Sequence, residues 1–325
     1  MRSFTVGEND SGQRLDKFIA KAVPALPTAL MYKYLRTKHI KLNGKRAEIS
    51  TRLQTGDVVT LYIKDEFFAE QKKRTPDFLS APRLTGIVYE DKNIMILNKK
   101  AGVLCHPDGD EYVDTLIARV KRYLYEKGEY DPQRENSFTP SLANRIDRNT
   151  GGLVLAAKNA AALRVLNQKI KDREIEKQYL CIAVGEMPKK SDVLTAYLRK
   201  DSDNNQVYIS DREKPDYRQI RTAYTVLGYQ DGLSLLKVDL LTGRTHQIRA
   251  HLAHIGHPLL GDGKYGRNEI NKKFGGYKKQ CLYSYAVRFA FRTDAAELNY
   301  LNGKSFETQD VWFRDAFLNG TLVPH

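Results

Sequence analysis

Asp147 stands between two arginines in the run Asn144-Arg145-Ile146-Asp147-Arg148-Asn149-Thr150, and Gly151-Gly152 turns the chain straight into the apolar Leu153-Val154-Leu155. A carboxylate in a dry pocket tends to go neutral, but a nearby guanidinium favours its charged form. An ionised aspartate so placed can serve as a nucleophile or a general base. By itself the same pattern also suits an ion-paired turn, because structural pairs perturb acids too. A second polar block, Leu241-Thr242-Gly243-Arg244-Thr245-His246-Gln247-Ile248-Arg249-Ala250-His251-Leu252, adds two more arginines and runs on to Gly256-His257-Pro258-Leu259-Leu260-Gly261-Asp262. His246, His251, His254 and His257 are four of the chain's seven histidines. They raise the question of zinc, and His251 and His254 could share one helical face. No Glu completes an H-E-x-x-H pattern and no cysteine lies near, so a scaffold role suits them better than metal ligation. Cys105-His106 raises the question of a thiol nucleophile. Pro107 marks a turn there and nothing adjacent would lower the thiol pKa, so Cys105 reads as a packed residue.

Elements that could position these residues follow from periodicity and punctuation. Arg14, Leu15, Asp16, Phe18 and Ile19 open a helix that Pro24 and Pro27 close, and a second helix is predicted over Ala29–Thr37. His39–Lys45 reads as a strand entering an Asn43-Gly44 turn, a hairpin signal, and Val58–Ile63 as a further strand after Gly56-Asp57. Residues 64–83 carry four acids, five bases and two prolines without periodicity, which reads as a linker; within it Lys72-Lys73-Arg74 is a basic triplet. Beyond it, Ile87–Tyr89 and Ile94–Asn98 form a hairpin, and Gly152–Ala157 forms a strand. Ala160–Ile170 forms a helix with Asn159 as N-cap, and Tyr179–Val184, Leu233–Leu240 and Tyr283–Phe291 form strands. A helix over Thr245–Ile255 would turn Ile248, Leu252 and Ile255 to the core. Strand–helix–strand units are few, so the fold class is α+β with a mixed, largely antiparallel sheet. The domains divide as 1–64, a linker over 65–83, and 84–325. No 20–50-residue repeat is present, and Arg292–His325 matches no motif.

Composition narrows the partner. The 325 residues carry a net charge of +14, and residues 1–64 hold half of that surplus, with 12 Lys and Arg against 5 Asp and Glu. An uneven basic surplus suits a polyanion, whose condensed counterions are released on binding. The alternative is a merely solvated basic surface. No apolar run reaches the roughly 20 residues of a membrane span, and the polar start shows no secretory signal. Three widely spaced cysteines, Cys105, Cys181 and Cys281, argue against a disulfide framework and for a reducing compartment. The expected location is cytoplasmic, without a membrane partner.

Two resemblances add to this reading. The run from Gln13-Arg14-Leu15-Asp16-Lys17 through Ile40-Lys41-Leu42-Asn43-Gly44-Lys45 to Leu61-Tyr62-Ile63 resembles the "S-four" RNA-binding domain over about 50 residues. That likeness implies RNA contacts from Arg14, Lys17, Lys33, Arg36, Lys41, Asn43 and Lys45. The Asp147 segment resembles the HRLDxxTSGL signature of RluA-type pseudouridine synthases of large-subunit ribosomal RNA, with Asn144, Ile146 and Gly151 where that pattern has His, Leu and Ser. Lys177-Gln178-Tyr179-Leu180 is similar to the family's Lys-x-Tyr block. The Thr242–Asp262 block is similar to TGRTHQIRxHLAxxGHPLLGD, Lys99–Pro107 to the opening block, and Gln280–Ser284 to Gln-Ala-Leu-His-Ala. The five blocks stand in family order between about residues 87 and 291.

Family membership would imply isomerisation of chosen uridines, with Asp147 catalytic and Arg249 as its charge partner. Tyr179 would stack on the target base and relay a proton, and Leu282 would cap the pocket. Arg145 would fill the stack left by the flipped base, and Arg244 would touch the RNA backbone or the scaffold. The reaction needs no cofactor and no metal, and a monomer is expected. The N-terminal unit would raise affinity and orient the RNA through effective concentration. Two rivals stay open at this point: a non-catalytic RNA-binding or assembly factor that kept the fold, and a metal-dependent RNA hydrolase built on the histidines.

Overall fold

The computed structural model describes residues 1–68, 76–109, 111–201 and 203–322. The Lys72-Lys73-Arg74 triplet lies outside the described residues. The N-terminal unit consists of β1 (Arg2–Thr5), α1 (Leu15–Ala22), α2 (Thr28–Arg36), β2 (Ile40–Leu42) and β3 (Val58–Leu61). Its antiparallel sheet has the order β1-β3-β2. Leu15, Phe18 and Ile19 of α1 and Met31 and Leu35 of α2 bury their i, i+3/i+4 faces against Phe4, Ile40, Val59 and Leu61. Both helices lie within a residue or so of their predicted bounds.

The structure corrects two local expectations. Asn43 (φ 50°) and Gly44 (φ 75°) do form a tight turn closed by a Leu42–Lys45 bridge. The chain does not return there as a strand, however: β2 pairs with β3, whose nearest ladder partners are Leu42 and Val59. A two-residue turn fixes a reversal, not the length of ladder that follows it. Strand β1 carries no periodic signal, because Phe4 alone of its four residues is buried, and it adds an edge that local pattern does not predict.

The larger unit comprises β4 (Ile87–Glu90), β5 (Ile94–Lys99), α3 (Leu116–Glu126), β6 (Ser141–Leu142), β7 (Gly151–Ala157), α4 (Ala160–Lys171) and β8 (Ile175–Val184). It continues with β9 (Ser191–Asp201), β10 (Gln206–Ser210), β11 (Arg218–Gln230), β12 (Leu233–Leu240), α5 (Gln247–His254), α6 (Asn268–Lys273), β13 (Leu282–Phe289), β14 (Ser305–Glu307) and α7 (Trp312–Leu318). The main sheet runs β10-β9-β11-β12-β8-β13-β7-β5-β4, with β6 on β7 and β14 on β13. Every pairing is antiparallel except β13 with β7, so the sheet is mixed and largely antiparallel. Among the described residues no helix is long and apolar enough to cross a membrane.

Alternation along the strands separates the two faces of the sheet. Tyr179, Cys181, Val154, Leu236 and Val238 share one core with Leu116 and Val120 of α3 and Ile248 and Leu252 of α5. On the opposite face Leu153 and Leu155 meet Ala162 and Leu166 of α4, and Leu180 and Ile182 meet Phe313 and Phe317 of α7. The C-terminal stretch without a motif is therefore structural. Strand β14 pairs with β13 at Ala286–Arg288, after β7 has paired at Tyr283 and Ser284, and α7 closes that face. In the stretch read as linker, residues 77–80 form a short 3-10 turn whose Phe78 packs edge-on against Tyr125, and Ala81 is fully buried.

Candidate active site

The site forms where the sheet's middle strands meet two loops. Asp147 lies on the β6–β7 connection, in a turn closed by the Thr150 N–H on the Asp147 carbonyl. Asn144, at the position where the resembled signature has His, accepts the Leu155 N–H through Oδ1 at 2.8 Å and so fastens this loop to β7. Tyr179 lies on β8 opposite Ser284 of β13, and Leu282 opens β13. Gly152 is needed where β7 and β13 come together: its φ of +116° is left-handed, and a Cβ there would lie 2.2 Å from the Ser284 carbonyl oxygen. Behind the loop, the buried Lys99 ammonium donates to the carbonyls of Lys100, Val103 and Arg148. Burial pulls its pKa down to about 8.

Arg249, in the first turn of α5, holds Asp147. Its Nη1 donates to Asp147 Oδ2 at 2.9 Å, while Nε and Nη2 donate to Asp262 Oδ2 and Oδ1 at 2.7 and 2.9 Å. The planar fork is thus spent on the wholly buried Asp262, and its third nitrogen points a charge at Asp147, which is 25% exposed. Burial opposes the guanidinium's charge, but the two carboxylates outweigh it and hold the arginine's pKa above its usual value. Asp262 also accepts N–H bonds from Lys264 and Tyr265; burial pushes its pKa up, Arg249 and these donors push harder downward, and it lies below the ordinary value. The guanidinium stacks at 5.2 Å over the Tyr265 ring. In the sequence Asp262 is only the last letter of a motif, and its part in the site is not evident there. One signal could have found it, since a buried guanidinium has five donors and one carboxylate satisfies at most two of them.

Asp147, Tyr179, Arg249, Leu282, Arg145 and Arg244 all line one pocket of about 270 Å³. That is near the lower end of the ~300–1,000 Å³ usual for small-ligand sites, the scale of one extruded nucleoside. Arg145 and Arg244 are exposed at its rim, whereas Tyr179 and Leu282 are 5% exposed. The Tyr179 phenol is hydrogen-bonded to Ser284, and burial pushes its pKa up to about 12. Lys177 also lines the pocket, and burial lowers its pKa.

His246 lines the pocket as well, on a left-handed backbone (φ 52°), with Nδ1 2.9 Å from the Tyr265 hydroxyl and Nε2 3.9 Å from Asp147. Burial pushes its pKa below the usual imidazole value, against the pull of Asp147. The other three histidines point elsewhere: His251 to Thr222, with a pKa of about 4 from burial, His254 to Asp211, and His257 to the Val184 carbonyl. Among the described residues no three His, Cys, Asp or Glu side chains converge as a metal site. Cys105 is buried, its thiol directed at the Ile146 carbonyl and its pKa raised by burial.

The N-terminal basic residues are arranged differently. Lys17, Lys33, Arg36 and Lys45 are exposed, and Lys41 is half-buried with its ammonium 5.2 Å from the Tyr62 ring. Arg14 makes a two-pronged pair with the buried Asp16. Asn43 donates to Asp57 and accepts from the Val58 N–H, so its amide is occupied in holding the turn.

A mixed sheet thus carries an arginine-held aspartate in a nucleoside-sized pocket, joined to a small basic unit. Residues 93–254 match the family model described as RNA pseudouridylate synthase, and residues 13–59 match the S4 domain. An RNA pseudouridine synthase of Mycoplasma capricolum is 32% identical over 323 residues, which cover 96% of this chain and 99% of the relative. The ribosomal large subunit pseudouridine synthase C of Haemophilus influenzae is 28% identical over 309 residues, covering 92% and 90%. The solved human RNA pseudouridylate synthase domain containing 4 shares the fold, with a TM-score of 0.55 at 19% identity over 71% of this chain and 92% of that one. The chain belongs to the RNA pseudouridine synthases. It is an isomerase with an RNA partner.

Proposed function

We propose that the enzyme isomerises specific uridines in large-subunit ribosomal RNA, as a cytoplasmic monomer without cofactor or metal, using Asp147 as its carboxylate. The observation that carries the mechanism is the 2.9 Å contact from Arg249 to Asp147 inside a pocket walled by Tyr179 and Leu282. A target base cannot be reached within a stack, so the uridine is flipped into the pocket. Arg145 at the rim fills the gap in the helix, Tyr179 stacks on the uracil, and Leu282 caps it. Asp147 supplies negative charge at the sugar's anomeric carbon, by attack or by electrostatic stabilisation, as the bond to N1 breaks and its electron pair stays with the base. The uracil turns, C5 bonds to the anomeric carbon, and the C5 proton leaves while N1 gains one. No electrons are transferred overall, so the balance calls for no oxidant or reductant. A phenol with a pKa near 12 is neutral at pH 7. Tyr179 can therefore pass the C5 proton along only by giving up its own, so it acts as a relay and not as a preformed base.

For ribosomal RNA the support is the likeness to the ribosomal large subunit pseudouridine synthase C of Haemophilus influenzae and the S4 match. The RNA face of the N-terminal unit is assigned to Lys17, Lys33, Arg36, Lys41 and Lys45, with Arg14 shared with Asp16 and Asn43 shaping the turn. The domains are assigned to 1–64 and 84–325, with 65–83 between them. Pseudouridine mapping in ribosomal RNA from cells with and without the protein identifies the target. Complementation with Asp147→Asn should leave the missing modification absent while RNA binding stays within a few fold. A modification restored by Asp147→Asn refutes the carboxylate assignment, and an unchanged map refutes the ribosomal target.

A further inference from the structure

The N-terminal unit meets the catalytic unit through a directional polar contact. Asp10 belongs to the N-terminal unit and is 1% exposed. Its Oδ1 accepts from Ser137 Oγ at 2.5 Å and its Oδ2 from Asn136 Nδ2 at 2.8 Å, across a separation of more than 120 residues. The Asn136 amide also donates to the Thr5 carbonyl, and Gln13 Nε2 donates to Ser137 Oγ at 2.7 Å. Asn9 Oδ1 accepts the free N–H of Ala160 at the start of α4, and Arg164 of the same helix donates to the Ser11 carbonyl at 3.0 Å. Helix α4 is the link to chemistry. Its N-terminal turn carries this contact, and Ile170 near its other end lines the catalytic pocket. At 1.5 Å per residue, Ala160 and Ile170 are about 15 Å apart along the axis.

We propose that this latch, centred on Asp10, Asn136 and Ser137, fixes the RNA-binding unit in one orientation relative to the catalytic pocket, and so selects which uridine is modified. The inference rests on the synthase reading above and adds a specificity device to it. Interfaces between domains of one chain leave relative motion as the default. An apolar contact would tolerate sliding, whereas hydrogen bonds to one buried carboxylate satisfy their donors in one arrangement only. The RNA element held by the N-terminal cations then presents one uridine at the pocket by geometry. A tether alone would supply only effective concentration and would sample several neighbours.

The test uses the full chain with Asn136→Ala/Ser137→Ala, substitutions on the catalytic side that leave the N-terminal core untouched, and Ser137→Thr as the variant that keeps the hydroxyl. Small-angle scattering should show a larger radius of gyration for the double variant and a native value for Ser137→Thr. Release of tritium from 5-tritiated large-subunit RNA, with mapping of product sites, should show kcat/KM at the native site falling about tenfold, mostly in KM, and pseudouridine spreading to nearby uridines. Native scattering for the double variant, or altered scattering with native site choice, overturns the latch. If the wild-type chain releases no tritium from any RNA, the functional reading fails instead, and the scattering arm still decides whether the latch holds the two units.

Discussion

Replacing Arg249 with alanine tests the arrangement around both carboxylates. The substitution removes one donor from Asp147 and two, at 2.7 and 2.9 Å, from Asp262, which is 0% exposed. Asp262 keeps the Lys264 and Tyr265 N–H groups, but burial, the largest influence on it, then acts upward without the guanidinium against it. Breaking a buried pair by removing one partner costs about 3–5 kcal/mol. The pH dependence distinguishes this loss from simple packing loss. In the wild type the Asp262 pKa is depressed on folding, so it contributes stability above its unfolded value of roughly 3.9, which is lost as pH falls through the folded value. In Arg249→Ala the folded value rises above the unfolded one, so the carboxylate destabilises at neutral pH and protonation relieves it. Urea unfolding of wild type and variant should therefore show a deficit of about 3–5 kcal/mol at pH 7.5 that narrows towards pH 5. Adding Asp262→Asn to Arg249→Ala, which removes the stranded charge, should recover part of the loss at pH 7.5. Turnover should collapse in both variants, and Arg249→Lys should restore only part of it, because an ammonium keeps the charge and loses the fork. A deficit equal at both pH values, or below about 1 kcal/mol, would refute the electrostatic account and reduce Arg249 to a packing residue.

Tyr179→Phe keeps the ring and removes the relay hydroxyl; kcat should drop by about 10²–10⁴ with KM little changed, and a KM-dominated loss would assign Tyr179 to binding alone. Lys33→Ala/Arg36→Ala should weaken RNA binding and lower the slope of log affinity against log salt by about one for each phosphate no longer neutralised, whereas an unchanged slope would make these cations mere solvated charge. Exhaustive EDTA treatment, with Mg²⁺ returned only to fold the RNA, should leave the rate intact; a loss reversed by zinc alone would bring the histidines into the chemistry.

Local pattern in the sequence reaches a definite depth in this protein. Helices α1, α2 and α4 are legible because their buried apolar residues recur every three or four positions, and Asn159 caps α4 as its type and place foretell, accepting the Ala162 N–H at 2.8 Å. The five ordered blocks mark Asp147, Tyr179, Arg249 and Leu282 and place the chain among the pseudouridine synthases. Their convergence is a matter of strand register. Tyr179 faces Ser284 because β13 pairs antiparallel with β8, and Asp147 arrives beside them because β13 also pairs, in parallel, with β7. Pairing over more than a hundred residues leaves no periodic trace in either segment, so the tertiary fold alone fixes it. The same holds for Asp262 as the second holder of Arg249, for the fold of residues 292–322, and for the polar latch. Asn43 shows the converse limit: its type suits an RNA contact and a turn equally, and only the Asp57 and Val58 partners decide that its amide serves the turn. Residue type states what a side chain can bond, and the fold decides which partner comes within about 3 Å of it.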